Sequence, residues 1–187
     1  MKLLIALGNP GQRYENTWHN AGFLVLNEMA RGEGISWDSG TVDKFLGELG
    51  KGQVLGESCV LLKPMTFMNL SGRSVVRVAQ FYKIPSQDWI VLHDDIDVPA
   101  GKVRARAGGG HGGHNGIRSI MEESGKDDFQ RIKLGVGRPA KLEDGSPGMD
   151  VADYVLRQMP ETEIADYVKA VKPEAELRMK EMFKQRK

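Results

Sequence analysis

Apolar and polar residues change rhythm repeatedly along this chain, and each change predicts an element. Lys2 to Leu7 is a short apolar run closed by Gly8-Asn9-Pro10-Gly11, which reads as a buried strand ending in a turn. Asn20 is placed to cap a helix over AGFLVLNEMARG, with Phe23, Leu26, Asn27 and Ala30 on one face and Leu24 and Val25 adding apolar bulk. Lys44 to Gly50 and Ser58 to Lys63 read as strands paired through the turn between them. PMTFMNLSG is a loop. A helix follows from Ser71, read as its cap, to Tyr82, and stops before Pro85. Trp89 to His93 (WIVLH) is a buried strand, KVRARA a second strand, GIRSIMEES a helix and QRIKLGVG another strand. After Pro139 the polar loop KLEDGSPG leads to a short helix near Val151 to Val155. From Glu161 to Lys187 the spacing is helical through Ile164, Tyr167, Val168, Val171, Leu177 and Phe183, with Pro173 predicted to kink or divide that helix. Strands alternating with helices predict a single α/β domain, a mixed sheet covered by helices.

The chain has 187 residues, 40% of them hydrophobic and 27% charged, enough for one proper core. Net charge is only +1, so any nucleic-acid binding has to come from a local patch. No apolar run is long enough to span a membrane. MKLLIALGNPG has no small-residue cleavage site after it and reads as a first strand rather than a signal peptide. Cys59 is the only cysteine, which excludes an internal disulfide and suits a reducing cytoplasm.

The candidate chemistry concentrates between Leu92 and Ile117. Asp94, Asp95 and Asp97 follow the WIVLH strand at its carboxyl end, where open α/β sheets bind ligands. Lys102, Arg104 and Arg106 share one strand face, and Arg131 and Lys133 supply a second basic strip. Gly108 to Gly113 let backbone approach a ligand, and His114-Asn115-Gly116 opens a helix whose first N–H groups are free. There is no G-x-S-x-G elbow, and Cys59 sits in an apolar strand without a cationic neighbour. Hydrolysis would therefore use water and a general base. His19 is the best base, in the company of Asn9, Tyr14, Asn69, Asp94, His114 and Asn115 in loops at strand ends. Asp94 can orient its imidazole, although Asp95 and Asp97 are equally placed. A metal is the rival: His93, Asp94, Asp95, Asp97, His111 and His114 are ligand types, but they lack H-E-x-x-H or calcium-loop spacing. The glycine run lacks a G-K-[ST] ending, and GNPGQ lacks the third glycine of a dinucleotide fingerprint. Phe67 and Met68 suit core packing or stacking on a base. These residues by themselves describe a hydrolase or binder of a phosphorylated or nucleotide-bearing ligand.

Four stretches, LIALGNPGQRYENTWHNAGF, KPMTFMNLSG, HDDIDVPAGKVRARAGGGHGGHNGIRSI and RIKLGVGRP, in this order and spacing, resemble the bacterial-type peptidyl-tRNA hydrolases. The likeness spans the chain to about Pro139 and continues more loosely through the terminal helices. It implies a twisted mixed sheet between helices, in a cytoplasmic, usually monomeric enzyme that needs no metal or other cofactor. The implied substrate is peptidyl-tRNA, cleaved at the ester between peptide and tRNA. By that resemblance His19 is the general base and Asp94 orients it. Asn9 tells N-blocked peptidyl groups from free aminoacyl groups, while Tyr14, Phe67, Asn69 and Asn115, with Met68 and His114 beside them, line the site. Lys102, Arg104, Arg106, Arg131 and Lys133 would hold tRNA phosphates. The tail is shorter than in many members and carries Pro173. Two other readings remain: a non-catalytic RNA-binding protein on this fold, and a metal-dependent hydrolase using the HDD and HGGH residues.

Overall fold

Four parallel strands form the middle of one six-stranded sheet, and an antiparallel strand closes each edge. The computed structural model describes residues 1–146 and 148–184. The strands are β1 (Lys2–Ala6), β2 (Gly47–Val54), β3 (Glu57–Pro64), β4 (Trp89–Asp95), β5 (Val103–Ala107) and β6 (Gln130–Gly135). The helices are α1 (Ala21–Gly32), α2 (Val42–Phe45), α3 (Ser71–Tyr82), α4 (Asn115–Ser124), α5 (Val151–Leu156) and α6 (Glu161–Lys184). The order across the sheet is β2-β3-β1-β4-β6-β5. β1 pairs in parallel with β3 (Leu4 opposite Leu61) and with β4 (Leu4 opposite Ile90), and β4 pairs in parallel with β6. β2 on β3 and β5 on β6 are antiparallel. This is the mixed α/β sheet expected, with helices on both faces.

Period-2 alternation sorts the strand residues into two cores. Leu4, Ala6, Leu61, Ile90, Leu92, Ile132 and Leu134 face α1 and α6, where they meet Val25, Leu26, Val171 and Met179. Leu3, Ile5, Leu7, Val60, Leu62 and Val91 face the other way, onto Val75 and Val78 of α3 and Ile117 and Ile120 of α4. A strand buried on both faces has to be apolar at every position, which is why KLLIA and WIVL read as continuous runs. Cys59 belongs to this interior, and burial pushes its thiol up to about 11, so it is inert as a nucleophile.

Four local expectations are corrected. Lys44 and Phe45 are helical, and the strand predicted from Lys44 starts at Gly47 and runs on to Val54. Leu46 ends that turn in the left-handed region (φ 53°), and Thr41 Oγ1 then braces the new strand by bonding Gly47 O and Leu49 N. Asn20 places no side-chain hydrogen bond on the α1 terminus, because its carboxamide is bound to Asn9. Ser71 is the first residue of α3, and its Oγ donates to Met68 O instead of capping. Pro173 does not divide the last helix: α6 is continuous from Glu161 to Lys184. Ile164, Tyr167, Val168 and Val171 before it, and Ala175, Met179, Met182 and Phe183 after it, are buried in the same core. That shared burial outweighs the roughly 3 kcal/mol that an interior proline costs. The basic end of the tail, residues 185–187, lies outside the described residues. Among the described residues no helix is long and apolar enough to cross a membrane.

Gly72 fixes how closely α3 and α4 meet. A Cβ there would lie 2.1 Å from Ser119 O, and Gly72 N–H donates to Ser119 Oγ at 2.9 Å. Gly72→Ala should therefore lose about 1–3 kcal/mol of stability by chemical denaturation; an unchanged midpoint would show that the helices can part at no cost.

Candidate active site

The carboxyl ends of β1, β3 and β4 meet at one point. From β1 the chain leaves towards β2 and β3, and from β4 towards β6 and β5, so β1 and β4 flank the switch point where open α/β sheets hold ligands. Leu7 N–H donates to Leu92 O at 3.0 Å and extends this pairing beyond β1. The short turn Trp18–Asn20 and then α1 sit directly on these ends. Gly22 permits that approach, since a Cβ would lie 2.5 Å from Leu92 O and 2.6 Å from Leu7 O. His19 is thereby carried to the end of β4.

There His19 Nδ1 lies 2.9 and 3.0 Å from the two Asp94 oxygens, and His114 Nε2 lies 2.9 Å from Asp94 Oδ1. One aspartate thus holds two imidazoles. The tautomers follow from the partners. His114 Nδ1 caps α4 by accepting from Gly116 N–H (3.1 Å) and Ile117 N–H (3.4 Å), so in the neutral ring the proton sits on Nε2 and is donated to Asp94. His19 donates from Nδ1, which leaves its Nε2 lone pair available as a base. Burial opposes charge on His19, but the field and hydrogen bond of Asp94 outweigh it and raise its pKa above 6.5. Burial likewise opposes the Asp94 charge, and the two histidines overcome it, holding the carboxyl far below the usual range. His93 is neutral: burial, then the neighbouring His114, pushes it down to about 3, and its Nδ1 donates to Asp94 O at 2.7 Å.

Of the three aspartates, Asp94 is therefore the partner of His19. Asp95 pairs with Lys133 at 2.6 Å, and Asp97 pairs with Arg138 on the surface. Three potential ligand atoms, from His19, Asp94 and His114, lie within 4.8 Å of one another. The cap decides what they suit. With Nδ1 taken up by two backbone N–H groups, His114 presents a proton at Nε2, whereas a metal needs a lone pair there. The cluster fits proton handling better than metal ligation.

Asn9, Met68 and Gly116 pack together beside His114, outside the lining of the cleft that holds His19 and Asp94. Asn9 Oδ1 accepts from Met68 N–H at 2.8 Å, and a Cβ on Gly116 would lie 2.5 Å from Met68 Sδ, so α4 starts hard against Met68. Phe67 is 57% exposed and meets Tyr14 edge to face at 6.4 Å, an open aromatic pair on the surface. Asn69 and Asn115 are exposed. A cleft of about 560 Å³ continues from His19, Asp94, His114 and Asn115 to Arg106 and Lys133. Its far wall is Asp150 to Leu156, with Asp150 capping α5 through Ala152 N–H. That wall was not foreseen, because a six-residue helix after a polar loop says nothing about where it docks. A larger groove of about 900 Å³ between α1 and α6 contains none of the predicted site residues.

The basic residues divide into two groups. Lys102, Arg104 and Arg106 are exposed, and Arg104 lies opposite Lys133 in the β5–β6 register. Arg131 is corrected. It is 2% exposed, donates to Gly110 O at 2.7 Å and to Gly109 O, and lies over the Phe129 ring. It ties down the glycine loop through its two terminal nitrogens, so it is a buried loop anchor bordering the cleft rather than part of an exposed basic strip. The loop is accordingly anchored at its start rather than floppy.

A sheet of this topology with an aspartate-held imidazole at its switch point marks an α/β enzyme working at the carboxyl edge. Comparison with known proteins is more specific. The family described as peptidyl-tRNA hydrolase matches residues 3–187. A peptidyl-tRNA hydrolase of Geotalea daltonii is 46% identical over 163 residues, covering 87% of this chain and 80% of that one. One of Pelobacter propionicus is 50% identical over 160 residues, covering 86% and 78%. The crystal structure of peptidyl-tRNA hydrolase from Acinetobacter baumannii superposes with a TM-score of 0.81 at 35% identity, over 99% of this chain and 91% of that one. The chain belongs to the peptidyl-tRNA hydrolase family, a family of enzymes.

The electrostatics give a direct test. Because the folded pKa of His19 is raised, its contact with Asp94 adds stability that is fully present below about 6.5 and fades as pH rises through the folded value. By NMR, His19 should titrate above 6.5 in the parent protein. In Asp94→Asn the charge is gone while burial remains, and the titration should fall below 6.5. A parent His19 that titrates below 6.5 would contradict the pairing.

Proposed function

We propose that this chain hydrolyses the ester between peptide and tRNA in peptidyl-tRNA, using water activated by His19. The observation that carries the reading is the Asp94 carboxylate 2.9 Å from His19 Nδ1, which leaves Nε2 as the base. Nε2 takes a proton as a water oxygen bonds to the ester carbonyl carbon. Negative charge then develops on the carbonyl oxygen. The intermediate collapses, the C–O bond to the terminal ribose breaks, and the leaving ribose oxygen takes the proton back from His19. Free tRNA and a peptide carboxylic acid result, the acid then losing its proton to solvent, with no covalent intermediate on the protein. Asp94 keeps the imidazole in the useful tautomer and stabilises its charged form.

Donors for the developing oxyanion are restricted by the α4 cap. Gly116 and Ile117 N–H are bound to His114 Nδ1, which leaves the Asn115 N–H and carboxamide, with the exposed Asn69 carboxamide as a further candidate. Phe67 and Tyr14 offer ring surface for stacking on a base of the acceptor end. Lys102, Arg104, Arg106 and Lys133 would hold phosphates without reading sequence, as an enzyme serving many tRNAs needs. No metal enters any step. The same reading makes the protein a cytoplasmic monomer acting on a nucleic-acid substrate.

The decisive assay is peptide release from N-acetyl-aminoacyl-tRNA beside unblocked aminoacyl-tRNA, with chelator present. Cleavage of the blocked ester alone, indifferent to chelator, is expected. Salt-sensitive tRNA binding without cleavage would make this a binding protein on a hydrolase scaffold. His19→Ala should lower kcat by about 10²–10⁴-fold while tRNA binding survives. Arg104→Ala or Arg106→Ala should instead raise KM and reduce the slope of log affinity against log salt by about one; unchanged slopes would remove these residues from the phosphate path.

A further inference from the structure

Asn20 follows His19 directly, is 2% exposed, and spends its whole carboxamide on one neighbour. Its Oδ1 accepts from Asn9 N–H at 2.8 Å and its Nδ2 donates to Asn9 C=O at 2.9 Å. A side-chain amide here pairs with a residue's backbone in both directions, as a neighbouring strand would. The Asn9 side chain is then fixed in turn. Met68 N–H can only donate, so the Asn9 oxygen has to face it, at 2.8 Å. A flipped amide would set two donors against each other at a residue that is 7% exposed. The group that remains is Asn9 Nδ2, which has no partner among the described residues. Asn9 thus keeps Nδ2 as its unpartnered donor, with its oxygen turned to Met68.

We propose that Asn20 is a positioning residue for substrate specificity: by clamping the Asn9 backbone it holds Asn9 Nδ2 as a fixed donor for the carbonyl oxygen of the substrate's N-acyl group. This rests on the reading of the site as a peptidyl-tRNA esterase. A blocked substrate supplies a carbonyl acceptor next to the ester. An unblocked one supplies an ammonium group, which has only donors, so Asn9 and substrate would face each other donor to donor. A site built around one hydrogen bond rejects the molecule that cannot make it.

The test compares N-acetyl-aminoacyl-tRNA with the deaminated acyl-tRNA, whose acyl group is neutral and has neither the ammonium nor the N-acyl carbonyl. In the parent protein kcat/KM should favour the acetylated ester by about tenfold, the scale of one hydrogen bond. In Asn20→Ala and Asn20→Ser that ratio should collapse towards one. The acid limb of the pH profile should stay where it is, because the His19–Asp94 contact is untouched. Asn20→Asp is the variant for the case where the smaller side chains do not fold. It keeps an acceptor for Asn9 N–H but sets a carboxylate against Asn9 C=O, and its ratio should fall as well. A ratio that persists in every folded variant overturns the proposal, as does a loss equal for both esters, which is what mere support of the fold would produce. A parent protein that cleaves neither ester overturns the esterase reading instead, whatever Asn20 does.

Discussion

A carboxylate as enclosed as Asp94, 3% exposed, would be strongly destabilising without partners, because transfer from water costs several kcal/mol. Here it has two, and each partner is itself constrained. His19 arrives on the turn that Gly22 allows onto the ends of β1 and β4, and His114 arrives as the cap of α4. Losing either imidazole leaves part of a buried charge uncompensated, so the positions of α1 and α4 are coupled through a single side chain. The raised pKa of His19 and the depressed pKa of Asp94 express the same attraction.

The surrounding shell serves that geometry. Arg131 binds the carbonyls of the glycine loop, the loop delivers His114, and His114 turns one nitrogen to the helix and the other to Asp94. On the other side Asn20 fixes Asn9, and Asn9 fixes Met68 N–H. Most of these bonds end on backbone groups. Backbone is held by the sheet and helices, so the side chains are oriented more firmly than exposed loop residues could be. Among the described residues no side-chain hydrogen bond of this kind holds the exposed Phe67, Asn69, Asn115 or Arg104.

How much was legible beforehand depended on whether local rules governed. Continuous apolar runs identified β1 and β4, because a strand covered on both faces tolerates nothing else. Alternation identified β5, whose cations face solvent, but the same alternation misread Arg131. Its period places it on a strand face opposite Ile132; whether that face meets water or a glycine loop is not a local property. A break of the last helix at Pro173 was misread for a similar reason, since helix propensity is local whereas the buried rows on either side of it are not.

The sequence by itself determined the class of fold, the order of its elements, the family resemblance and the set of polar residues gathered at strand ends. Periodicity and residue chemistry suffice for these. Only the tertiary structure decided that Asp94 rather than Asp95 or Asp97 meets His19, and that His114 joins them. It also withdrew Arg131 from the basic surface and turned Asn20 from a helix cap into a clamp on Asn9. Residues 75 and 20 positions apart meet in those pairs. Contacts at that separation depend on strand order and on how closely the helices approach the sheet, which no window along the chain contains.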